Sequence, residues 1–393
     1  MRCLHVISGL ARAGAETALH KLVAALRGSG VESTVVSLSS GGALEADIRA
    51  LGVRVESLGM ARGTPPSPGA LYRLAAAVRR FQPDVVHGWM YHGNLAATAA
   101  VAVARSSAPV VWSIHSSLTD IGAEKRSTAL VVRLGALVSS RAARIVYVSG
   151  LSAGQHEAAG YASDRRVVIP IGFDTARFAP SPGARQALRA ALGLPDGAVT
   201  IGHVARYHPL KDHENLLRAA AILAARRSEP RFILVGSGVD AANPELVRLT
   251  AAQPLMDRVL MLGERENVTG LTAGFDIATL ASRAEAFPNV IGEAMACGVP
   301  VVTTDVGDAA SMVGETGRIV PPRDSVALAH AWDELLEIGP DGRERLGRAA
   351  RQRILDHFSM SSVARRYEQL YVETIAARRS RAARDRGAAL RRA

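Results

Sequence analysis

The sequence predicts two α/β units in series, each a doubly wound parallel sheet, and three observations carry that prediction. Strand and helix patterns alternate along almost the whole chain. The strands are short, continuous apolar runs, as expected of strands covered on both faces by helical crossovers. The length of 393 residues, 48% of them hydrophobic, is too great for one ordinary core and ample for two of roughly 150–200 residues.

In the first unit, strands are read at Cys3–Ser8, Thr34–Leu38, Arg54–Leu58, Asp84–Gly88, Val110–His115, Ile145–Ser149 and Arg166–Pro170. Helices are read at Gly14–Leu26, with Ala18, Leu22, Ala25 and Leu26 on one face, at Leu44–Leu51, and at Leu71–Phe81, stopped by Pro83. Thr64–Gly69 reads as a loop, and the Pro- and Gly-containing stretch Phe178–Ala184 as the linker. Strands then recur at Thr200–Ala205, Phe232–Gly236, Val259–Leu262, Ile277–Leu280 and Pro300–Thr303. Helices are expected at Glu214–Arg227, Pro244–Ala252, Val268–Gly274, Pro288–Cys297 and Ser325–Leu336, followed by two near 342–357 and 361–377. The expected division is a first domain over 1–177, a second over 184–357, and a basic tail over 378–393. No repeat of 20–50 residues is evident, so the halves are alike in architecture only.

The two cysteines, Cys3 and Cys297, lie far apart and without metal-ligand spacing, which fits a reducing cytoplasm. The chain opens as a strand and lacks the apolar core and cleavage site of a signal peptide. The longest apolar runs, Leu95–Ala104 and Ala129–Val138, are short or broken by Arg133, and none approaches the ~20 residues that span a bilayer. The net charge of +11 is concentrated at the end, where Arg378, Arg379, Arg381, Arg384, Arg386, Arg391 and Arg392 face Asp385 alone. This tail makes a poor helix core and is expected to fray. It reads either as a solvated tail or as attraction to anionic lipid head groups. Nucleic acid is not an expected partner, because interleaved aromatics, helix-turn-helix and zinc motifs are all missing.

Ligands of doubly wound sheets bind at the carboxyl ends of strands, so the turns there, and a cleft between the units, are the places to look. The turn Gly9–Glu16 is not a G-x-G-x-x-G fingerprint, yet Gly14 and Ala15 open a helix with little side-chain bulk, as an anion cradle or a plain turn. His115, in S-I-H-S-S, is a hydrogen-bonding or acid/base residue, or a satisfied structural histidine. His92 reads as helix-capping or exposed. Arg206 and Lys211 in V-A-R-Y-H-P-L-K follow the first strand of the second unit, and a planar fork plus a point charge there suit a diphosphate. Gly236 and Gly238 form a G-x-G turn at a strand end beside the Glu285 stretch, read as donor-binding or as glycines that serve backbone geometry alone. The stretch Ser282–Thr304 carries two carboxylates, Glu285 and Glu293, around a helix begun by Pro288 and ended by Gly298. The expected free N–H groups of Asn289, Val290 and Ile291 would point at a phosphate. Glu293 would take ribose hydroxyls, and Glu285 those of the group beyond the phosphate.

E-A-F-P-N-V-I-G-E-A-M-A-C-G-V-P-V-V closely resembles the E-x7-E signature of glycosyltransferase family 4, the retaining transferases of the two-Rossmann GT-B fold. The resemblance covers most of the chain. A-G-A-E at Ala13–Glu16 is similar to the family's Gly-Gly-x-Glu segment, with Ala13 in place of the first Gly. V-A-R-(x4)-K resembles its diphosphate-binding pair, and Pro170–Phe178 its Asn-Gly-Val-Asp segment, with Ile171 in place of Asn. Asp305–Val313 resembles its later Gly-rich segment, with Ser311 where an acid is common.

The resemblance implies a nucleotide-sugar donor held by the second domain, UDP-sugar favoured and GDP-mannose open, and a glycan or lipid-linked acceptor of surface polysaccharide or glycolipid synthesis. Arg206 and Lys211 would meet the leaving diphosphate, Glu293 the ribose and Glu285 the sugar. His115 would touch the sugar, Gly14 would line the phosphate or acceptor side, and the last helix would cross back onto the first domain. No D-x-D triplet occurs, so no metal or other cofactor is expected. The expected place of action is the cytoplasm, with peripheral attachment to the inner face of the plasma membrane. Acceptor identity falls to loops such as 59–69 and 116–126. Two other readings stand beside this one: a sugar-nucleotide epimerase or hydrolase on the same fold, and a non-catalytic relative that binds nucleotide sugars.

Overall fold

A computed structural model describes residues 1–61, 67–118, 126–255, 257–285 and 287–390, with side chains of the last stretch described to Ser380 and at Arg384. The loops 59–69 and 116–126 fall partly outside the described residues. The described residues form two compact units. The first is Met1–Gly172 together with the chain from Met360 onward, and the second is Phe173–Ser359.

In the first unit the chain runs β1 (Arg2–Ile7), α1 (Gly14–Ala25), β2 (Glu32–Ser39), α2 (Ala43–Ala50), β3 (Arg54–Met60), α3 (Pro68–Phe81), β4 (Val85–Trp89), α4 (Met90–Ala104), β5 (Val110–Ile114), α5 (Arg126–Val138), β6 (Arg144–Tyr147), α6 (Gly150–Ala158) and β7 (Arg166–Val168). The seven strands pair in parallel, in the order β3-β2-β1-β4-β5-β6-β7. Alternation along β1 sends Leu4 and Val6 to one face, with Leu74, Val78, Ala97 and Val132 of α3, α4 and α5. Cys3 and Ile7 go to the other, with Leu19 and Val23 of α1 and Ile48 of α2. Ser67 caps α3 by accepting from the Ala70 N–H at 3.2 Å, so Pro68 and Gly69, expected in a loop, are already helical.

The second unit continues α7 (Ala184–Ala191), β8 (Val199–Val204), α8 (His213–Ala224), β9 (Pro230–Val235), α9 (Pro244–Ala251), β10 (Val259–Met261), α10 (Val268–Gly274), β11 (Ile277–Leu280), α11 (Asn289–Ala296), β12 (Val301–Thr304), α12 (Ala309–Val313), β13 (Arg318–Val320), α13 (Ser325–Glu337) and α14 (Gly339–His357). Its six parallel strands are ordered β10-β9-β8-β11-β12-β13. Helices α8 and α13 close one face around Ile201, Leu216, Phe232 and Trp332. The stretch Phe178–Ala184, read as the linker, belongs to this unit, which begins earlier: the Phe173 N–H donates to the Phe358 carbonyl at 2.8 Å.

The last helix, α15 (Met360–Leu390), belongs to the first unit, where Val363, Ala364, Tyr367, Leu370 and Tyr371 complete the core beside α1. It does not stop near Ala377, and the expected fraying is not seen through Leu390. Arg and Ala, which dominate the stretch, are among the strongest helix formers. No helix among the described residues is long and apolar enough to cross a membrane.

Candidate active site

The strand order of the second unit reverses between β8 and β11, so the chain leaves these neighbours in opposite directions and their carboxyl ends open a crevice. The loop after β8 carries Arg206, exposed, and a tight turn at Pro209–Lys211. Asp212 follows with φ 51°, in the left-handed region, and caps α8. The loop after β11 carries Ser282, Arg283 and Glu285. Lys211 Nζ and Glu285 Oε1 form an ion pair across the two loops, with side chains 23% and 14% exposed. Ser282 Oγ donates to the same carboxylate oxygen at 2.7 Å. The Arg283 N–H donates to the Leu210 carbonyl at 2.8 Å. Its guanidinium meets Asp212 twice, donating from Nη2 to Oδ1 at 2.7 Å and placing Nε 2.7 Å from Oδ2. Lys211 and Glu285 are thus brought together. Arg206 stands at the same strand end and, among the described residues, has no ion-pair partner.

The turn after β9 holds Gly236 and Gly238. Gly236 has φ 152°, and a Cβ there would lie 2.2 Å from the Ala205 carbonyl oxygen and 2.8 Å from the Arg206 nitrogen. Its N–H donates to the Gly263 carbonyl at 2.9 Å, and the Tyr207 N–H to the Ser237 carbonyl at 2.8 Å. Gly236 therefore holds the Arg206 segment in place, and its amide is spent on backbone. Replacing it by alanine is expected to destabilise the protein by roughly 1–3 kcal/mol and to displace Arg206. Thermal melting and nucleotide titration check this, and a wild-type result in both would contradict it.

The amides expected at the start of α11 need correction. Pro288 caps the helix and is not its first residue. The Asn289 N–H donates to the Phe287 carbonyl at 2.9 Å and the Ile291 N–H to the Pro288 carbonyl at 3.1 Å. The tight entry turn consumes these two N–H groups, so the turn must open before they can hold a phosphate. Val290 lies between them, half-buried, and Glu293 is half-buried one turn further on. Burial, with the Glu293 charge, pushes the Cys297 thiol up to about 12, which leaves it inert. Beneath the crevice His203 is buried, its Nδ1 3.1 Å from the Thr279 carbonyl, and His213 meets it edge to face with centroids 5.1 Å apart. Burial lowers them to about 3 and about 4, so neither adds charge at neutral pH.

In the first unit the order reverses between β1 and β4. Gly14 opens α1 there, and a Cβ on it would meet nothing within 4 Å. His115 follows directly on β5, and its N–H donates to Met90 Sδ at 3.2 Å. Met90 has φ 60°, a strained value for a non-glycine residue at the same sheet edge. The His115 ring stacks on Trp89 with centroids 5.1 Å apart and an interplanar angle of 26°. Both ring nitrogens are buried without a partner among the described residues, and burial lowers the ring to about 4. His115 is therefore a neutral imidazole, with one donor and one acceptor to offer. Behind it Trp89 Nε1 donates to His5 Nδ1 at 3.2 Å, and His87 lies 2.7 Å from both the Tyr371 hydroxyl and Ser113 Oγ.

A cavity of about 340 Å³ at this edge is lined by Ser8, Gly9, Ala13, Glu16 and His92, among others. His92 is neither an exposed side chain nor a cap; it is half-buried and its pKa is lowered by burial. Glu16, in the first turn of α1, belongs to the Gly9–Glu16 segment read as a cradle, whereas His92 has no site role in the sequence reading, and its place in the first turn of α4, just past the end of β4, is the signal for it. Among the described residues no group of three or more His, Cys, Asp and Glu is placed to hold a metal ion.

Two doubly wound parallel sheets in one chain, with charged loops at a strand-order reversal, define the GT-B class of architecture. Residues 12–177 match the family "Glycosyltransferase Family 4" and residues 198–337 match "Glycosyl transferases group 1". EpsF of Bacillus subtilis, named as a glycosyltransferase, is 30% identical over 316 residues, which are 77% of this chain and 79% of EpsF. The D-inositol 3-phosphate glycosyltransferase of Stackebrandtia nassauensis is 36% identical over 205 residues, 49% of this chain and 45% of that protein, so the chain spans under half of that relative. HepE of Anabaena, crystallised in complex with UDP, superposes with a TM-score of 0.80 at 22% identity, covering 95% of this chain and 100% of HepE. The chain belongs to glycosyltransferase family 4.

Proposed function

We propose that this glycosyltransferase moves a sugar from a UDP-sugar to a glycan or lipid-linked acceptor with retention of anomeric configuration. The observation that carries the reading is the Lys211–Glu285 pair, a cation and a carboxylate on opposite loops of one crevice. A diphosphate entering there competes for Lys211 and releases Glu285 to accept hydroxyls of the sugar. Lys211 and Arg206 then stabilise the negative charge that grows on the departing diphosphate. Glu293 takes the ribose. The acceptor hydroxyl attacks from the face on which the nucleoside diphosphate leaves, and a phosphate oxygen receives its proton. The two cations meet the diphosphate without a metal ion. HepE has been crystallised with UDP-glucose as well as UDP, which supports a uridine donor. The cavity beside Glu16 and His92 suits a hydroxyl-bearing acceptor.

An epimerase reading is less well supported. It needs an acid or base poised near neutral pH, and burial holds His115, His203 and His213 well below that range. Labelled UDP-sugars and GDP-mannose, incubated with and without lipid extract, test the proposal. Product that requires extract or a glycan supports transfer, whereas an epimer formed without acceptor would overturn it.

Attachment to an anionic bilayer is part of the same proposal. Helix α5 exposes Leu130, Leu134 and Leu137, spaced four and three residues apart, together with Arg126 and Arg133, and carries no acid. An apolar stripe flanked by cations suits an anionic lipid surface. Leu137, 78% exposed, is the residue to change. Leu137→Glu is expected to lower co-sedimentation with phosphatidylglycerol vesicles several-fold, and unchanged sedimentation would remove this surface from the proposal.

A further inference from the structure

We propose that Arg283 and Asp212 form a positioning clamp that holds the Lys211 loop against the Glu285 loop when the donor separates those two side chains. The inference rests on the donor reading above. Among the described residues three contacts join the loops: Arg283 N–H to the Leu210 carbonyl, Arg283 to Asp212, and Lys211 to Glu285. The third must open when Lys211 turns to a diphosphate and Glu285 to a sugar. The first two involve neither group and remain.

Asp212 shows how firmly the clamp is built. It is only 4% exposed, and a carboxylate so buried is costly unless paired. It also sits at φ 51°, where glycine would be unstrained. What the position gains from aspartate is the carboxylate. Part of that gain is a weak cap, with the Asn215 N–H at 3.5 Å, and the remainder is the grip on Arg283. With the grip lost, Leu210 and Arg283 would be joined by one backbone hydrogen bond. Lys211, at the end of a three-residue turn, would then no longer be aimed at a fixed point.

The experiment compares UDP with uridine by calorimetry, because the difference between them reports the diphosphate alone. Arg283→Ala and Asp212→Asn are each expected to weaken UDP by about tenfold or more and to leave uridine within about twofold. The double variant should be no worse than either single one, because both break the same contact. Arg283→Lys should recover part of the loss. Asp212→Gly, which suits the left-handed backbone, should melt near the wild type yet share the UDP defect. Equal losses of UDP and uridine would reduce the pair to a fold-stabilising role, and unchanged UDP binding in folded variants would end the proposal. A wild-type protein that binds GDP and guanosine in place of UDP and uridine would overturn only the uridine assignment, and the variants would then be scored with that pair. A wild-type protein that binds no nucleoside diphosphate overturns both the donor reading and the clamp.

Discussion

Glu285→Ala is expected to lower kcat by about three orders of magnitude, near 4 kcal/mol of transition-state stabilisation, while UDP binding is kept or tightened. The asymmetry follows from the ion pair. In the unliganded protein Glu285 occupies Lys211, so a diphosphate must displace it. Removing the carboxylate removes the competitor and at the same time the group that holds the sugar. Lys211→Ala is expected to do the reverse at the binding step, weakening UDP as well as lowering kcat by roughly 100-fold to 1,000-fold. Steady-state kinetics with the true substrates, beside UDP titration, separate the two. A folded Glu285→Ala enzyme with full turnover would remove Glu285 from the site.

Acidification is expected to have the next largest effect. His5 and His203 are fully buried, one in each unit, and burial lowers both to about 3. Well above pH 6.5 these rings are neutral in the folded and unfolded chains, and they make no difference. Below it the unfolded chain takes up protons that the folded chain refuses, so stability falls as pH falls toward 3. At pH 4.5 each ring should cost roughly 2–3 kcal/mol. His87, His115 and His213 are lowered as well and act in the same direction. Urea midpoints at pH 7.5, 6.5, 5.5 and 4.5 should be level at first and then decline. A midpoint constant to pH 4.5 would mean that the folded protein protonates these rings without penalty.

Much of the second unit is legible in the sequence because its strands are apolar runs that stop at small or charged residues. Ile277–Leu280 agrees residue for residue. The strand Arg318–Val320 was not foreseen: it is three residues long, begins with arginine, and shows no period. Lys211 and Glu285 stand out as charges at strand ends, but that they touch is a property of strand order, because they are 74 residues apart in the chain. Asp212 and Arg283 are 71 residues apart, and read locally each is an ordinary surface charge. The pairing of the Asn289 and Ile291 amides differs from the sequence expectation for a local reason. A helix start implies unpaired N–H groups, but the tight turn at Phe287–Pro288 satisfies two of them first. His5 is not legible in the sequence, because a histidine inside a strand gives no sign that it accepts an indole N–H from β4.

The placement of α15 bears on the order in which the chain assembles on the ribosome. The second unit is one continuous segment and can fold as soon as it has emerged. The first unit is made earlier but remains unfinished until the segment from Met360 onward has been made, because Tyr367 and Tyr371 belong to its interior and the Tyr371 hydroxyl is the partner of His87. Its nascent form therefore waits with an open apolar face through the translation of nearly two hundred further residues. Chaperone capture in that interval would concentrate on residues 1–172, and a stop codon ahead of Met360 would leave a folded second unit attached to a first unit that cannot mature.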